Sequence, residues 1–160
     1  MPETKNVPGG KLTFYAKEVL QNTDDKIRRA MLETVQLVEN HVRKLQTGPR
    51  TGRIYRIGKT PTKADKLAGR KFRSHQASAP GEPPAVWSGR LFNAIVSKVE
   101  PILGKTGMGW RGEVGTNVKY ARWLEFGTTR MKPRPLWRRA VIELRAKILD
   151  IWKRAAQGGP

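Results

Sequence analysis

Apolar residues recur at Ile27, Met31, Val35, Val38, Val42 and Leu45, in steps of three and four that fall on one face of a helix. Asn22 or Thr23 can cap this segment. Asp24 and Asp25 put negative charge in its first turn, where the helix dipole favours it. Thr47-Gly48-Pro49 stops it, with Gly at the C′ position and Pro just beyond. The spacing predicts a helix over 23–46. A second such face, Trp137, Val141, Leu144, Ile148 and Ile151 or Trp152, predicts a final helix to Ala156, opened by Arg134-Pro135 with Pro at the first helical position.

Between the two helices the period changes. Leu91 to Val99 (LFNAIVSKV) carries strand-forming residues, Gly104 to Gly109 reads as a turn, and Trp110 to Val114 alternates as a returning strand. An antiparallel meander follows from this, after a turn at Ser88-Gly89-Arg90. Val118 to Phe126 reads as a short helix ended by Gly127-Thr128-Thr129. Lys11 to Val19 alternates in part and reads as a short strand that starts the domain. Residues 1–10 hold two Pro and two Gly and read as a flexible arm, with a flexible end at 157–160. The expected fold class is α+β in one domain over 11–156: a long N-terminal helix, a small antiparallel sheet, a C-terminal helix, and a long basic loop between the first helix and the sheet. No internal repeat is visible.

That loop covers 49–86. It has no periodicity, and between Arg50 and Arg73 it holds nine basic residues and one acid, Asp65. It continues as Ser74-His75-Gln76-Ala77-Ser78-Ala79-Pro80-Gly81-Glu82-Pro83-Pro84. A loop this long is functional, or unstructured until a partner arrives. Arg53 to Ile57 has strand character and suggests one arm of a hairpin with the segment after Lys59. The candidate contacts to a partner or to DNA are Arg50, Arg53, Tyr55, Arg56, Lys59, Arg70, Lys71 and Arg73. Their cations suit phosphates and Tyr55 suits a base. Three readings stay open here: a solvated loop, a protein-docking arm and a nucleic-acid contact. No helix-turn-helix, zinc-finger or RNA-binding signature decides between them.

Composition sharpens the picture. There are 32 Lys+Arg against 13 Asp+Glu, a formal net charge of +19. A compact domain with that charge repels itself unless a polyanion or an acidic protein face absorbs the field. Cys is absent, and His41 and His75 lie far apart in sequence, so neither a disulfide nor a zinc or iron site is expected. The N-terminus lacks the apolar core of a signal peptide. No run approaches the ~18–20 apolar residues that span a bilayer. No carboxylate or His constellation suits acid–base or nucleophilic catalysis. Glu125, between Leu124 and Phe126, reads as a structural ion pair with Arg122 or Arg134. Gly104-Lys105-Thr106 resembles the end of a phosphate-binding loop, but position 99 is Val, not the required Gly. No enzyme, cofactor or membrane role is expected.

Three stretches then stand together: His75 to Pro84 followed by Trp87-Ser88-Gly89-Arg90-Leu91; Val114-Gly115-Thr116-Asn117 followed by Tyr120-Ala121; and Leu124-Glu125-Phe126-Gly127-Thr128 followed by Arg134-Pro135-Leu136. In this order, over residues 23–156, the chain resembles the tail-completion or type 1 neck (head–tail joining) proteins of long-tailed phages. The resemblance implies a structural virion protein of small α/β build. It implies no cofactor and no turnover, and a place in the neck or at the head-proximal end of the tail after assembly in the host cytoplasm. It also implies a ring around the DNA channel. Six copies would match a tail tube and twelve the portal side, with six favoured. The neighbours would be neck, tail-terminator or tail-tube proteins, with non-specific contact to DNA. A tail terminator that caps the tube, or a free basic nucleic-acid-binding protein, are the alternative roles. The family-motif residues are Gly89, Arg90, Gly115, Tyr120, Glu125, Phe126, Gly127, Arg134 and Pro135. Gly115 and Gly127 suit positive φ or close backbone approach. Tyr120, Trp123 and Phe126 suit packing under the sheet. Leu136-Trp137 stands where members often have Phe-Leu, and the N-terminal arm and the basic loop are less typical of the family.

Overall fold

The computed structural model describes residues 3–7, 10–14, 16–57, 62–69, 73–104 and 107–157. In chain order these form β1 (Glu3–Val7), β2 (Gly10–Phe14), α1 (Ala16–Thr47), β3 (Ile54–Ile57), α2 (Lys63–Leu67), β4 (Arg73–Gln76), α3 (Arg90–Asn93), β5 (Ile95–Gly104), β6 (Gly107–Thr116), α4 (Ala121–Phe126) and α5 (Trp137–Ala156). The class is α+β, with a long N-terminal helix, a C-terminal helix and strands that pair two by two: β1 with β2, β3 with β4, β5 with β6. The chain divides into two compact units, one made of residues 1–36, 97–113 and 146–160, the other of 37–96 and 114–145.

In the first unit β1 pairs antiparallel with β2, in a register that sets Glu3 opposite Phe14 and Val7 opposite Gly10. Residues 3–7 are therefore a strand, where an arm was expected. The alternation in Lys11–Phe14 needs a pairing partner, and Glu3–Val7 supplies it. Residues 1, 2, 8 and 9 of that arm lie outside the described residues, as do 158–160. Helix α1 begins at Ala16, not near 23. Asp24 is thus inside the helix, and its carboxylate serves tertiary structure, accepting the indole N–H of Trp110 at 2.8 Å. The Arg28 guanidinium lies over the same indole, 5.2 Å from its centroid. Strand β6 comes down on α1 at Gly112. A Cβ there would sit 2.5 Å from Met31 Sδ and 2.6 Å from Val35 Cγ2, so only Gly permits this approach. Ala30, Val35 and Ile151 are buried, and Arg154 bonds Glu33 at 2.9 Å.

The second unit holds a continuous core of Val42, Leu91, Ile95, Val118, Ala121, Leu136 and Ala140. Val42 and Ala140 have no exposed surface. Each fully buried Val, Leu or Ile side chain stabilises by roughly 1.5–3 kcal/mol. The expected strand over Leu91–Val99 starts only at Ile95, because Arg90–Asn93 turns as a helix. Gly89, at φ +75°, opens that turn, and the amides of Asn93 and Ala94 bond the carbonyls of Gly89 and Arg90 at 2.8 and 3.1 Å. Leu91 of α3 and Ile95, the first residue of β5, both enter the core.

The 49–86 stretch is not a bare loop. Strand β3 pairs antiparallel with β4, Ile54 opposite Gln76 and Ile57 opposite Arg73, which completes the hairpin suggested by the strand character of Arg53–Ile57. Helix α2 lies between the strands. Thr62 and Asp65 cap it reciprocally: the Thr62 hydroxyl oxygen accepts the Asp65 amide at 3.3 Å, and the Asp65 carboxylate accepts the Thr62 amide at 3.0 Å.

Candidate functional site

Five of the motif residues, Glu125, Phe126, Gly127, Arg134 and Pro135, lie where α4 leads into α5. Glu125 is buried, and its carboxylate faces the first turn of α5. One oxygen accepts the amides of Leu136 at 2.7 Å and Trp137 at 3.0 Å, and the other accepts the amide of Arg138 at 2.9 Å. These are N-terminal donors that a helix cannot satisfy internally, and the helix dipole favours a negative group there. The expected ion pair with Arg122 or Arg134 is thus replaced by a helix cap supplied from another helix. The cap also sets where α5 begins. It starts at Trp137, so Pro135 precedes the first helical residue, and its missing N–H breaks no helix bond.

Gly127 turns the chain out of α4 at φ +77°. A Cβ there would meet the Met131 carbonyl oxygen at 2.7 Å and the Pro133 nitrogen at 3.0 Å. Thr128 and Met131 then bridge through paired backbone bonds of 2.8 and 3.2 Å, and the Arg134 amide returns to the Leu124 carbonyl at 2.7 Å. The Arg134 side chain donates from Nε to the Ser78 carbonyl at 3.2 Å, and the Gly81 amide bonds the Pro133 carbonyl at 3.0 Å. The Ala77–Pro84 stretch is thereby strapped onto the corner.

Glu82 fastens the other side of that strap. Its carboxylate accepts the Thr51 hydroxyl at 2.5 Å, the Thr51 amide at 3.2 Å and the Ala79 amide at 2.8 Å. The Thr51 hydroxyl, followed by the two amides, holds the carboxyl below its ordinary pKa. Gly52, which sequence reasoning passed over, sits beneath the strap; a Cβ there would be 2.4 Å from the Ala77 carbonyl oxygen. Arg50 closes the end of α1, donating to the carbonyls of Leu45 at 2.6 Å, Pro49 at 3.0 Å and Pro84 at 3.2 Å. Desolvation lowers its pKa, with Glu82 opposing that shift and Arg139 adding to it. Of the predicted contact residues, Arg50 is therefore a bracket within the fold. Arg53, Tyr55 and Arg56 are exposed along the β3–β4 hairpin, where the Arg53 guanidinium lies 5.6 Å from the Tyr55 ring centroid. Arg73 opens β4. Lys59, Arg70 and Lys71 lie outside the described residues.

The remaining motif residues divide. Gly89 takes the left-handed turn described above, and Arg90, exposed, opens α3. Tyr120 is half-buried against the core at the start of α4. Gly115 has neither positive φ nor a close neighbour, so the expectation of a backbone constraint there is corrected. Trp123 and Phe126 do not pack under a sheet: they are 56% and 65% exposed, with the Arg138 guanidinium 5.8 Å from the Phe126 centroid. Alternate faces of a one-and-a-half-turn helix cannot all point inward, and Ala121 and Glu125 take the inner one. A groove of about 390 Å³ runs beside the strap, lined among others by His75, Trp87, Leu91, Tyr120 and Arg134. His75 and Trp87 meet edge to face there, centroids 4.4 Å apart.

Both acids of the corner, Glu82 and Glu125, are engaged with backbone amides. Among the described residues no group of three or more His, Cys, Asp or Glu could hold a metal, and no helix is long and apolar enough to cross a membrane. A family model described as "Bacteriophage HK97-gp10, putative tail-component" matches residues 10–127. The chain belongs to this HK97 gp10-like family of phage tail components, and membership supports a structural role in the tail or neck. The match ends at Gly127, so α5 and the capped first turn lie beyond it. Searches of curated proteins and of solved structures returned no match.

Proposed function

We propose that this protein is a structural subunit of the phage neck or tail-completion region, joining head to tail as part of a ring around the DNA channel. The observation that carries the reading is the family match over residues 10–127. The corner supports it from the chemical side. Its acids and Arg134 hold backbone in place, which suits a part that must present a fixed surface to neighbours and turns nothing over. The virion is its location after assembly in the host cytoplasm, and a six-membered ring matched to the tail tube is the arrangement we favour over twelve. Immunogold labelling of purified particles tests this. Label confined to the head–tail junction is the expected result; label spread along the tail, or none on particles, contradicts it. The tail-terminator variant of this reading predicts label at the head-proximal tip of tails that have no head.

The nine basic residues between Arg50 and Arg73 favour one further reading, a free nucleic-acid-binding protein. It predicts tight DNA binding that weakens steeply with salt in the absence of any particle.

A further inference from the structure

The β3–β4 hairpin is a sheet of two strands, and no described strand lies against either outer edge. Every residue of β3 is exposed, including Ile54 at 61%, Tyr55 at 48% and Ile57 at 37%. On β4 His75 is half-buried against Trp87, whereas β3 is open along its outer edge, and an open edge is a template for another strand. The phase of the ladder says which groups the edge offers. The Ala77 amide bonds the Arg53 carbonyl at 3.0 Å, so Arg53 and Tyr55 turn their backbone groups toward β4, and Ile54 turns its N–H and C=O outward.

The charge carried by the two strand segments themselves has one sign. Neither Ile54-Tyr55-Arg56-Ile57 nor Arg73-Ser74-His75-Gln76 contains an acid. The one acid between Arg50 and Arg73, Asp65, accepts the amide and hydroxyl of Thr62. A second copy of the ribbon would set arginine against arginine. Duplex DNA would meet the cations and leave Ile54 and Ile57 in water. A protein strand that alternates acidic and apolar residues meets the cations, the apolar side chains and the outward backbone groups together.

We propose that the outer edge of β3 receives an acidic strand of a neighbouring neck or tail protein as the third strand of this sheet. This rests on the head–tail joining reading and adds to it the mode and chemistry of one contact.

The test places a photo-crosslinking residue on the edge, Ile54→p-benzoylphenylalanine, in a phage whose particles are purified before irradiation. Ile54 is mostly exposed, and an unchanged melting temperature of the free variant confirms folding. The expected adduct is a segment of another virion protein with more Asp and Glu than Lys and Arg. Its yield should fall at least tenfold in combination with Arg53→Glu and persist with Arg53→Lys. An adduct to DNA, to a second copy or to a segment without an acidic excess overturns the proposal, as does no adduct. If the variant protein is missing from particles that also lack the wild-type protein, the joining reading falls and takes this proposal with it. If it is present with the wrong adduct, only this proposal falls.

Discussion

Glu125 and Leu136 are eleven positions apart and joined by a 2.7 Å hydrogen bond from the Leu136 amide to a buried carboxylate oxygen. That bond, with those from Trp137 and Arg138, fixes the start of one helix from the end of another. Glu125→Ala leaves three donors without an acceptor and should cost about 2–3 kcal/mol. Glu125→Gln keeps an acceptor, loses the charge and should cost less. Urea unfolding checks both, as a lower midpoint at unchanged slope.

Gly127 and Gly115 belong to neighbouring pieces of the same motif and should respond differently. Gly127→Ala must hold Cβ at φ +77° within 2.7 Å of a carbonyl oxygen, and a loss of at least ~1–2 kcal/mol is expected. Gly115→Ala enters open space at an ordinary backbone angle and should change stability by less than ~0.5 kcal/mol. Thermal melts of the two variants side by side test the distinction.

Arg50 and Arg53 look alike in sequence and differ in use. Arg50→Ala frees three backbone carbonyls, one of them closing α1, and should destabilise the protein by about 1–3 kcal/mol. Arg53→Ala should leave stability within ~0.5 kcal/mol. Joint Arg53→Glu and Arg56→Glu substitution should leave the protein folded and lower the yield of infectious particles; normal infectivity in that variant counts against a role for the hairpin in assembly.

The long helices were legible in sequence because their periodicity is local. Their exact faces were less so. Ala30 and Ala140 are buried, and Ile27 and Val141 are more than one-third exposed, because small side chains let neighbouring segments come close where larger ones would not. A pattern read from large apolar residues alone misses those positions. The order of the motifs points to the phage tail family whose model matches the chain, but not to how Glu125, Gly127 and Arg134 act. The Glu125 cap, the Gly52 contact beneath the strap and the Gly112 contact on α1 each join parts distant in sequence, and no spacing rule reports them. The hairpin was half-visible: alternation marks β3, and β4 lacks an apolar pattern because Ser74 and Gln76 are exposed.

Glu82 predicts an acid-sensitive step. Its folded pKa lies below the ordinary carboxylate value of 4.5, chiefly through the Thr51 hydroxyl. Its contribution is therefore complete above that value and is lost as pH falls through the lower, folded pKa. Thr51→Val should weaken the acid dependence below pH 4.5. Stability measured from pH 7 downward checks the sign: a variant whose loss relative to wild type grows as pH falls would contradict it.

Electron microscopy of a lysate from a phage lacking this gene tests the joining role. Filled heads and finished tails lying apart are the predicted result. Intact, infectious particles would contradict the account and bring the nucleic-acid-binding reading to the front.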